Sequence, residues 1–336
     1  MADPGMIVPP EIPGAAQVPA PAAPRYTMFR GPNGIRAGWR VLLFLCFAFL
    51  VGLLLASPLV VMRVMHKSSV PARQPENFGL TPGNVSIMEG AFFLCFSIAA
   101  LIMAKIEHRK FGKYGLPLRS AFGKDFWIGG IVGFLAIGGC LLGIFALHGF
   151  RLEGIATHGE VLLRAIAAWS LSFLIVGLAE EFTFRGYLQY TLTTGIGFWP
   201  SAILLSVLFG FAHARNPGES TAGLLSVVMF GLLFCLFLRR RGNLWWAVGF
   251  HAGWDWGQTF FYGVPDSGIP AYHSLFHCSF NGPAWLTGGT VGPEASVFTP
   301  IVLAIVTIAF ANAYPEIKYR VNGERQTAEP APQPSV

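Results

Sequence analysis

Long apolar runs, separated by short polar connections, dominate the chain. Eight of these runs approach the roughly 20 residues that an α-helix needs to cross a bilayer. They lie at approximately 38–62, 86–104, 125–149, 163–190, 198–214, 222–238, 243–262 and 297–314. The pattern predicts an all-α polytopic membrane protein with about eight transmembrane helices.

Composition supports this class. The chain is 53% hydrophobic and 12% charged, whereas soluble domains carry about 25% charged residues. The net charge of +6 does not indicate nucleic-acid binding, because the basic residues lie between apolar runs and form no continuous patch. The five cysteines form no CxxC pair, so neither a disulfide framework nor a zinc knuckle is expected.

The basic residues also predict the orientation, because cytoplasmic loops of membrane proteins carry an excess of Lys and Arg. Eight helices with both termini in the cytoplasm place sixteen Lys and Arg residues inside and six outside. The outside residues are Arg63, Lys67, Arg73, Arg151, Arg164 and Arg215. We therefore expect both termini to be cytoplasmic.

Four regions are predicted. Residues 1–35 are a Pro/Ala-rich tail that is expected to be disordered, and residues 36–314 are the helical membrane domain. Residues 315–336 are a cytoplasmic C-terminal tail. An outer loop at 263–296 has no Lys or Arg and is long for an unstructured connection. It is either a lid or binding loop, or an ordered cap on the helix ends.

Three groups of polar residues interrupt the apolar runs, where charged side chains usually face a cavity or a partner. The first is EEFTFR, in which Glu181 and Arg185 are four residues apart and suited to an ion pair. Glu180 points about 100° away from Glu181 on the helix. One carboxylate can therefore pair with Arg185 while the other stays available for chemistry. The alternative is a buried charge cluster that only fixes helix packing.

The other two groups each contain a histidine. In FGFAH, Phe209 and His213 share a helix face, so the phenylalanine can pack beside the imidazole. In HAGWD, Asp255 lies one turn from His251, where a carboxylate can orient the ring. A single histidine on an apolar helix is more often a packed core residue than a ligand or base.

Together the three groups supply the side chains that activate a water molecule within a bilayer. A glutamate can take the proton of water, and an imidazole can donate to a developing oxyanion. The same side chains can instead hold a metal that acidifies the water. One difficulty is depth: counted along the predicted spans, His251 lies near the cytoplasmic end and His213 near the outer end.

At these residues the chain resembles the CPBP family of intramembrane proteases, also called Abi or CAAX prenyl protease type 2. The family motifs EExxxR, FxxxH and HxxxN or HxxxD occur here in order, within about residues 165–262. The resemblance implies a helical membrane fold and peptide-bond hydrolysis in or near the bilayer.

The resemblance also implies roles for the residues. Glu180 and His213 would activate the attacking water, while His251 and Asp255 would stabilise the oxyanion or complete a metal site. Glu181 and Arg185 would be a supporting ion pair. Asp255 departs from the Asn of the eukaryotic prenyl-protein proteases, and an ionised Asp has no hydrogen to donate to an oxyanion.

Metal dependence stays open. No HExxH motif is present. Glu180, His213, His251 and Asp255 could hold zinc or another divalent metal, or act without a metal.

The leading functional hypothesis is a CAAX-protease-like intramembrane endopeptidase with a peptide or membrane-protein substrate, located in a cell membrane and compatible with a bacterial inner membrane. The alternative is a non-catalytic scaffold or bacteriocin-immunity protein on the same fold. A transporter is less favoured, because the polar triple occurs once and carriers often show two similar halves. Neither the substrate nor the oligomeric state follows from the sequence.

Overall fold

The structure is a computed structural model that describes residues 27–31, 34–65, 79–270 and 272–321, with the backbone alone at 58–65. Contacts divide the chain into two units, Met1–Arg36 and Ala37–Val336. In the first unit, β1 (Arg30–Gly31) pairs with β2 (Gly34–Ile35) in antiparallel fashion. The end of the predicted tail is therefore ordered, while its first 26 residues and residues 322–336 lie outside the described ranges.

Helices make up most of the second unit. They are α1 (Ala37–Met65), α2 (Pro82–Ile106), α3 (Lys124–Ala146), α4 (Gly159–Glu181), α5 (Leu188–Ile196), α6 (Phe198–His213), α7 (Thr221–Arg241), α8 (Trp245–Asp255), α9 (Ala284–Thr287) and α10 (Phe298–Ala313). Two π-helical segments, Phe182–Tyr187 and Trp256–Phe261, follow α4 and α8. In the π-helix each backbone N–H bonds five residues back, and such segments occur frequently at functional sites.

The eight predicted spans correspond to α1, α2, α3, α4 with α5, α6, α7, α8 with its π-helical extension, and α10. Within the described residues, five helical stretches are long and apolar enough to cross a membrane, and α6 and α10 are shorter apolar helices. The prediction of an all-α, multi-pass membrane protein is confirmed. The orientation of the termini stays a prediction.

The fourth span is longer than predicted. It runs over 38 residues, from Gly159 to Ile196, where the apolar pattern predicted 163–190. The backbone bends at Gly186, whose φ of −84° and ψ of −112° are not helical. A Cβ at this position would lie 2.8 Å from the ring of Phe182 and 3.2 Å from the carbonyl oxygen of Tyr114. The bend therefore needs a residue without a side chain.

Helices α3 and α8 pack backbone against backbone through glycines. A Cβ on Gly129 or Gly133 of α3 would overlap a carbonyl oxygen of α8, and one on Gly249 or Gly253 of α8 would overlap a carbonyl oxygen of α3. Small residues four apart allow such close approach between membrane helices. This glycine seam fixes α8, the helix that carries His251.

The unit Ala37–Val336 has two distinct ends. At the basic end, Arg40 of α1 pairs with Glu107 after α2, and Arg241 of α7 pairs with Asp125 of α3. At the sheet end, β3 (Phe150–Ile155) pairs antiparallel with β4 (Phe276–Phe280). Since β4 and α9 belong to the outer loop, residues 263–296 contain regular structure and pack at the sheet end.

Candidate active site

The EEFTFR motif lies where α4 passes into its π-helical segment. Glu181 is the last residue of α4, and Arg185 lies within the segment Phe182–Tyr187. Their side chains are fully buried and form an ion pair, with Arg185 Nη1 at 3.4 Å from Glu181 Oε1. Glu180 instead keeps 18% of its side chain exposed. The motif therefore separates one paired carboxylate from one that faces open space.

Aromatic rings surround the Arg185 guanidinium. Its central carbon lies 4.2 Å from the ring centroid of Phe209 and 5.5 Å from that of Phe234. A cation over an aromatic face is stabilised by the ring quadrupole, most strongly where water is excluded. Gly231 of α7 makes room for the group, because a Cβ there would lie 2.6 Å from Arg185 Nη2.

The same two rings contact the two histidines. Phe209 meets the His213 ring edge-on at 4.8 Å between centroids, and Phe234 stacks on the His251 ring at 5.2 Å. Arg185 thus supports, through one ring each, the imidazoles of α6 and α8. The predicted packing of Phe209 beside His213 is present in the structure.

The hydrogen bonding of His213 determines its tautomer. Nδ1 lies 2.9 Å from the carbonyl oxygen of Phe209. A carbonyl oxygen only accepts, so Nδ1 of a neutral His213 carries the hydrogen and donates it. Nε2 then holds the lone pair that can take up a proton.

His251 lies among three carboxylates. Nδ1 lies 3.0 Å from Glu181 Oε1, and Nε2 lies 3.6 Å from Glu180 Oε2 and 3.5 Å from Asp255 Oδ2. The short contact orients the ring through Glu181, a partner from another helix. Asp255, one turn away on α8, is the more distant neighbour.

These side chains share one cavity of about 700 Å³. Its lining includes all four predicted catalytic residues, Glu180, His213, His251 and Asp255. The boundaries of α6 and α8 agree with the predicted ones within two residues. The placement of these helices in the bundle, rather than a shift of their ends, therefore brings the two histidines to one cavity.

Three further acidic residues line the cavity and were missed by the sequence analysis: Glu89 of α2, and Asp266 and Glu294 of the outer loop. Glu89 is a lone carboxylate within an apolar predicted span, so the rule for intramembrane charges could have found it. Its Oε2 is buried and makes no hydrogen bond within the described residues. Asp266 and Glu294 belong to the outer loop that the sequence analysis identified as a lid, binding loop or cap. No sequence pattern pointed to these two residues within the loop.

Hydrogen bonds hold the outer-loop carboxylates in place. Glu294 Oε2 accepts from the backbone N–H and the hydroxyl of Ser267, at 2.8 and 3.0 Å. Asp266 Oδ2 accepts from the Thr259 hydroxyl at 2.8 Å. Burial raises the pKa of Glu294 to about 8 and raises that of Asp266, because desolvation disfavours a charged carboxylate.

The cavity also reaches the lipid-facing surface. Ile87 and Met88 of α2 line it and are 72% and 70% exposed, and Phe92 continues this edge one turn further. The polar interior of the cavity is therefore bordered on one side by exposed apolar side chains.

The side chains do not form a preorganised metal site. Within the described residues, no group of three or more His, Cys, Asp or Glu side chains has a geometry that could hold a metal ion. The Nδ1 atoms of His251 and His213 are held by Glu181 at 3.0 Å and by a backbone carbonyl oxygen, which leaves Nε2 of each ring as the atom that could bind a metal. Metal binding by Glu180, His213, His251 and Asp255 therefore stays a prediction.

Comparison with known families gives a match over part of the chain. Residues 162–257 match the family described as type II CAAX prenyl endopeptidase Rce1-like. The resemblance inferred from the three motifs is thereby confirmed for this region, and the description is that of a membrane endopeptidase. No curated protein sequence matches the chain. The Rce1-like region contains Glu180, His213, His251 and Asp255, whereas Glu89, Asp266 and Glu294 lie outside it.

Proposed function

We propose that this protein is an endopeptidase of the cell membrane that cleaves a peptide or membrane-protein segment by activating water with Glu180 and His213. The observation that carries the proposal is the separation of the carboxylates. Glu181 pairs with Arg185 and contacts His251, while Glu180 faces a cavity that it shares with both imidazoles.

The chemistry follows from these positions. Glu180 accepts a proton from a water molecule, assisted by the lone pair of His213 Nε2, and the resulting hydroxide attacks the carbonyl carbon of the scissile bond. The C–N bond then breaks, and the leaving amine takes the proton that was removed from the water. Each step uses only side chains that line the cavity.

His251 serves the developing oxyanion. When both ring nitrogens carry a hydrogen, Nδ1–H donates to Glu181 and Nε2–H is the donor that faces the cavity. A preorganised donor aimed at developing charge is commonly the largest single contribution to catalysis. Asp255 lies 3.5 Å from Nε2 and helps to hold the ring. This assignment removes the need for Asp255 itself to donate.

The apolar rim formed by Ile87, Met88 and Phe92 supports a substrate with a hydrophobic part, either a membrane-associated peptide or the end of a transmembrane segment. A bacterial inner membrane fits the short connections and the strong charge asymmetry. Prenylation of the substrate is one way to supply the hydrophobic part, and an apolar side-chain sequence is another.

The test compares protein termini in host membranes that contain the native protein or Glu180→Gln at equal levels of folded protein. Glu160→Gln is the matched control, because Glu160 lies on the same helix in an exposed ion pair with Arg164. We expect a set of termini that is present with the native protein and with Glu160→Gln and lost with Glu180→Gln. If Glu180→Gln gives the same termini as the native protein, the proposal is wrong.

A further inference from the structure

The two ends of the membrane domain differ strongly in basic residues. Within the described part of Ala37–Val336, the sheet end holds three: Arg151, Arg164 and Arg215. The basic end holds twelve, from Lys105 to Lys124 in and beside the α2–α3 connection, at the end of α7 and after α10, together with Arg40. By sequence alone, Arg63, Lys67 and Arg73 follow the first predicted span, and counting them with the sheet end gives six basic residues against twelve.

The cavity belongs to the sheet end. Its polar residues outside the helix interiors are Asn216, Asp266, Ser267 and Glu294, all in connections at that end. The α2 side of the cavity begins at Gly79 and Leu80, and Leu80 is held to the outer loop by a 2.8 Å hydrogen bond from its N–H to the carbonyl oxygen of Pro270. No residue of the connections at the basic end lines the cavity.

Contacts between loops confirm that these residues belong to one surface. Asn216, after α6, donates through Nδ2 to the carbonyl oxygen of Ser267 at 3.0 Å. Thr290 donates through its hydroxyl to the carbonyl oxygen of Gly218 at 2.8 Å. The connection after α6 and the outer loop therefore form the polar rim of the cavity together.

We infer that the cavity opens to the exocytoplasmic side of the membrane, and that its substrates are peptide segments presented there. Lys and Arg accumulate in cytoplasmic connections, so the basic end is cytoplasmic and the sheet end is exocytoplasmic. The substrate class is exported peptides, or segments of membrane proteins that flank a span on the outer side. The substrate class rests on the proposed function, because it assumes that the protein cleaves peptides. The side on which the cavity opens does not depend on that function.

The lining of the cavity fits this substrate class. Its described part contains no Lys or Arg and has five carboxylic side chains, which disfavour the free C-terminal carboxylate of a substrate. A cytoplasmic chain with a lipid-modified C-terminus would meet the basic end, whose described connections contribute no residue to the cavity lining. An internal segment that approaches from the outer side meets Asp266 and Glu294 first.

The test is cysteine accessibility in intact host cells with a membrane-impermeant maleimide. The background carries Cys46→Ser and Cys278→Ser, which removes the two cysteines that are not buried. Single cysteines are placed at two exposed positions, Glu153→Cys in β3 at the sheet end and Lys113→Cys at the basic end. Labelling is compared before and after permeabilisation.

We expect Glu153→Cys to react fully in intact cells and Lys113→Cys to react only after permeabilisation. The reverse pattern would overturn the assignment of the cavity to the outer side and leave the proposed peptidase function untouched. If the labelling is as expected but no Glu180-dependent termini are found, the peptidase function and the substrate class are wrong. The assignment of the cavity to the outer side then still stands. The termini found with the native protein should map to exocytoplasmic segments, and cytoplasmic termini would contradict the substrate class.

Discussion

Two buried charge clusters of the membrane domain differ in how their charges are matched. At the basic end, Glu107 accepts from Arg40 Nε at 2.9 Å and Nη2 at 2.5 Å, and from the Tyr187 hydroxyl at 2.5 Å. Arg109 and Tyr114 approach the same carboxylate at 3.3 and 3.5 Å. Both carboxylate oxygens are thus fully used.

The cavity cluster is different. His251 Nε2 stands 3.5 to 3.6 Å from two carboxylates, and Glu89 has a buried oxygen that makes no hydrogen bond within the described residues. Carboxylates outnumber cations there, whereas at Glu107 two guanidiniums and two phenols surround one carboxylate. A buried polar network whose members are all satisfied rigidifies a fold, and one with unmatched members costs stability and is retained for another reason. The comparison supports a structural role for the first cluster and is consistent with the chemistry proposed for the second.

The largest effect on stability is expected at Glu107. In Glu107→Ala the buried guanidinium of Arg40, which is 4% exposed, loses its carboxylate, and breaking a buried pair in this way costs about 3–5 kcal/mol. Thermal unfolding in detergent should show a large loss for Glu107→Ala and a smaller one for Glu180→Ala. Glu160→Ala, which removes an exposed pair, should change stability by no more than about 0.5 kcal/mol. Equal losses at Glu107 and Glu180 would contradict the distinction between the clusters.

The next effect concerns the packing that holds the cavity cluster in place. Gly129→Ala would bring a Cβ against the carbonyl oxygen of Trp246, and overpacking of this kind costs about 1–3 kcal/mol. Gly130→Ala on the same helix is the control, because its Cβ would lie at an ordinary 3.5 Å from the carbonyl oxygen of Gly249. Unfolding in detergent should separate the two variants, and the number of Glu180-dependent termini should fall only with Gly129→Ala. Equal behaviour of both variants would show that the glycine seam does not position α8.

The smallest effect is the pH dependence at the cavity rim. The pKa of Glu294 is raised to about 8 in the folded protein, above its ordinary value of 4.5. The folded state therefore holds this proton more tightly than the unfolded state, and the stability it contributes is lost as the pH rises from about 4.5 towards 8. Asp266 and Glu219, which face Glu294, have raised pKa values as well and add to the same trend.

Glu294→Gln should therefore flatten the decline in stability over this pH range, by an amount on the order of 1 kcal/mol. Unfolding temperatures measured from pH 5 to pH 8.5 in the native protein and the variant provide the comparison. A decline that stays as steep in the variant would assign the dependence to Asp266, Glu219 or the groups deeper in the cavity.

The sequence by itself determined the class of fold and the three motifs. Apolar runs and spacings of four residues are local properties, because a helix of 3.6 residues per turn brings such neighbours to one face wherever it lies. For this reason the Glu181–Arg185 pair and the packing of Phe209 beside His213 followed from the motifs alone. The bend at Gly186 was not predicted, since it depends on contacts with Phe182 and Tyr114.

Only the tertiary structure decided how the carboxylates meet the histidines. Glu181 is taken up by His251, a residue 70 positions away, and this contact exists because the glycine seam brings α8 to its place beside α4. Glu89, Asp266 and Glu294 join the cavity from elements that are distant in the chain. Long-range packing of this kind leaves no periodic signal in the sequence, because each contact depends on where a different helix or loop comes to lie.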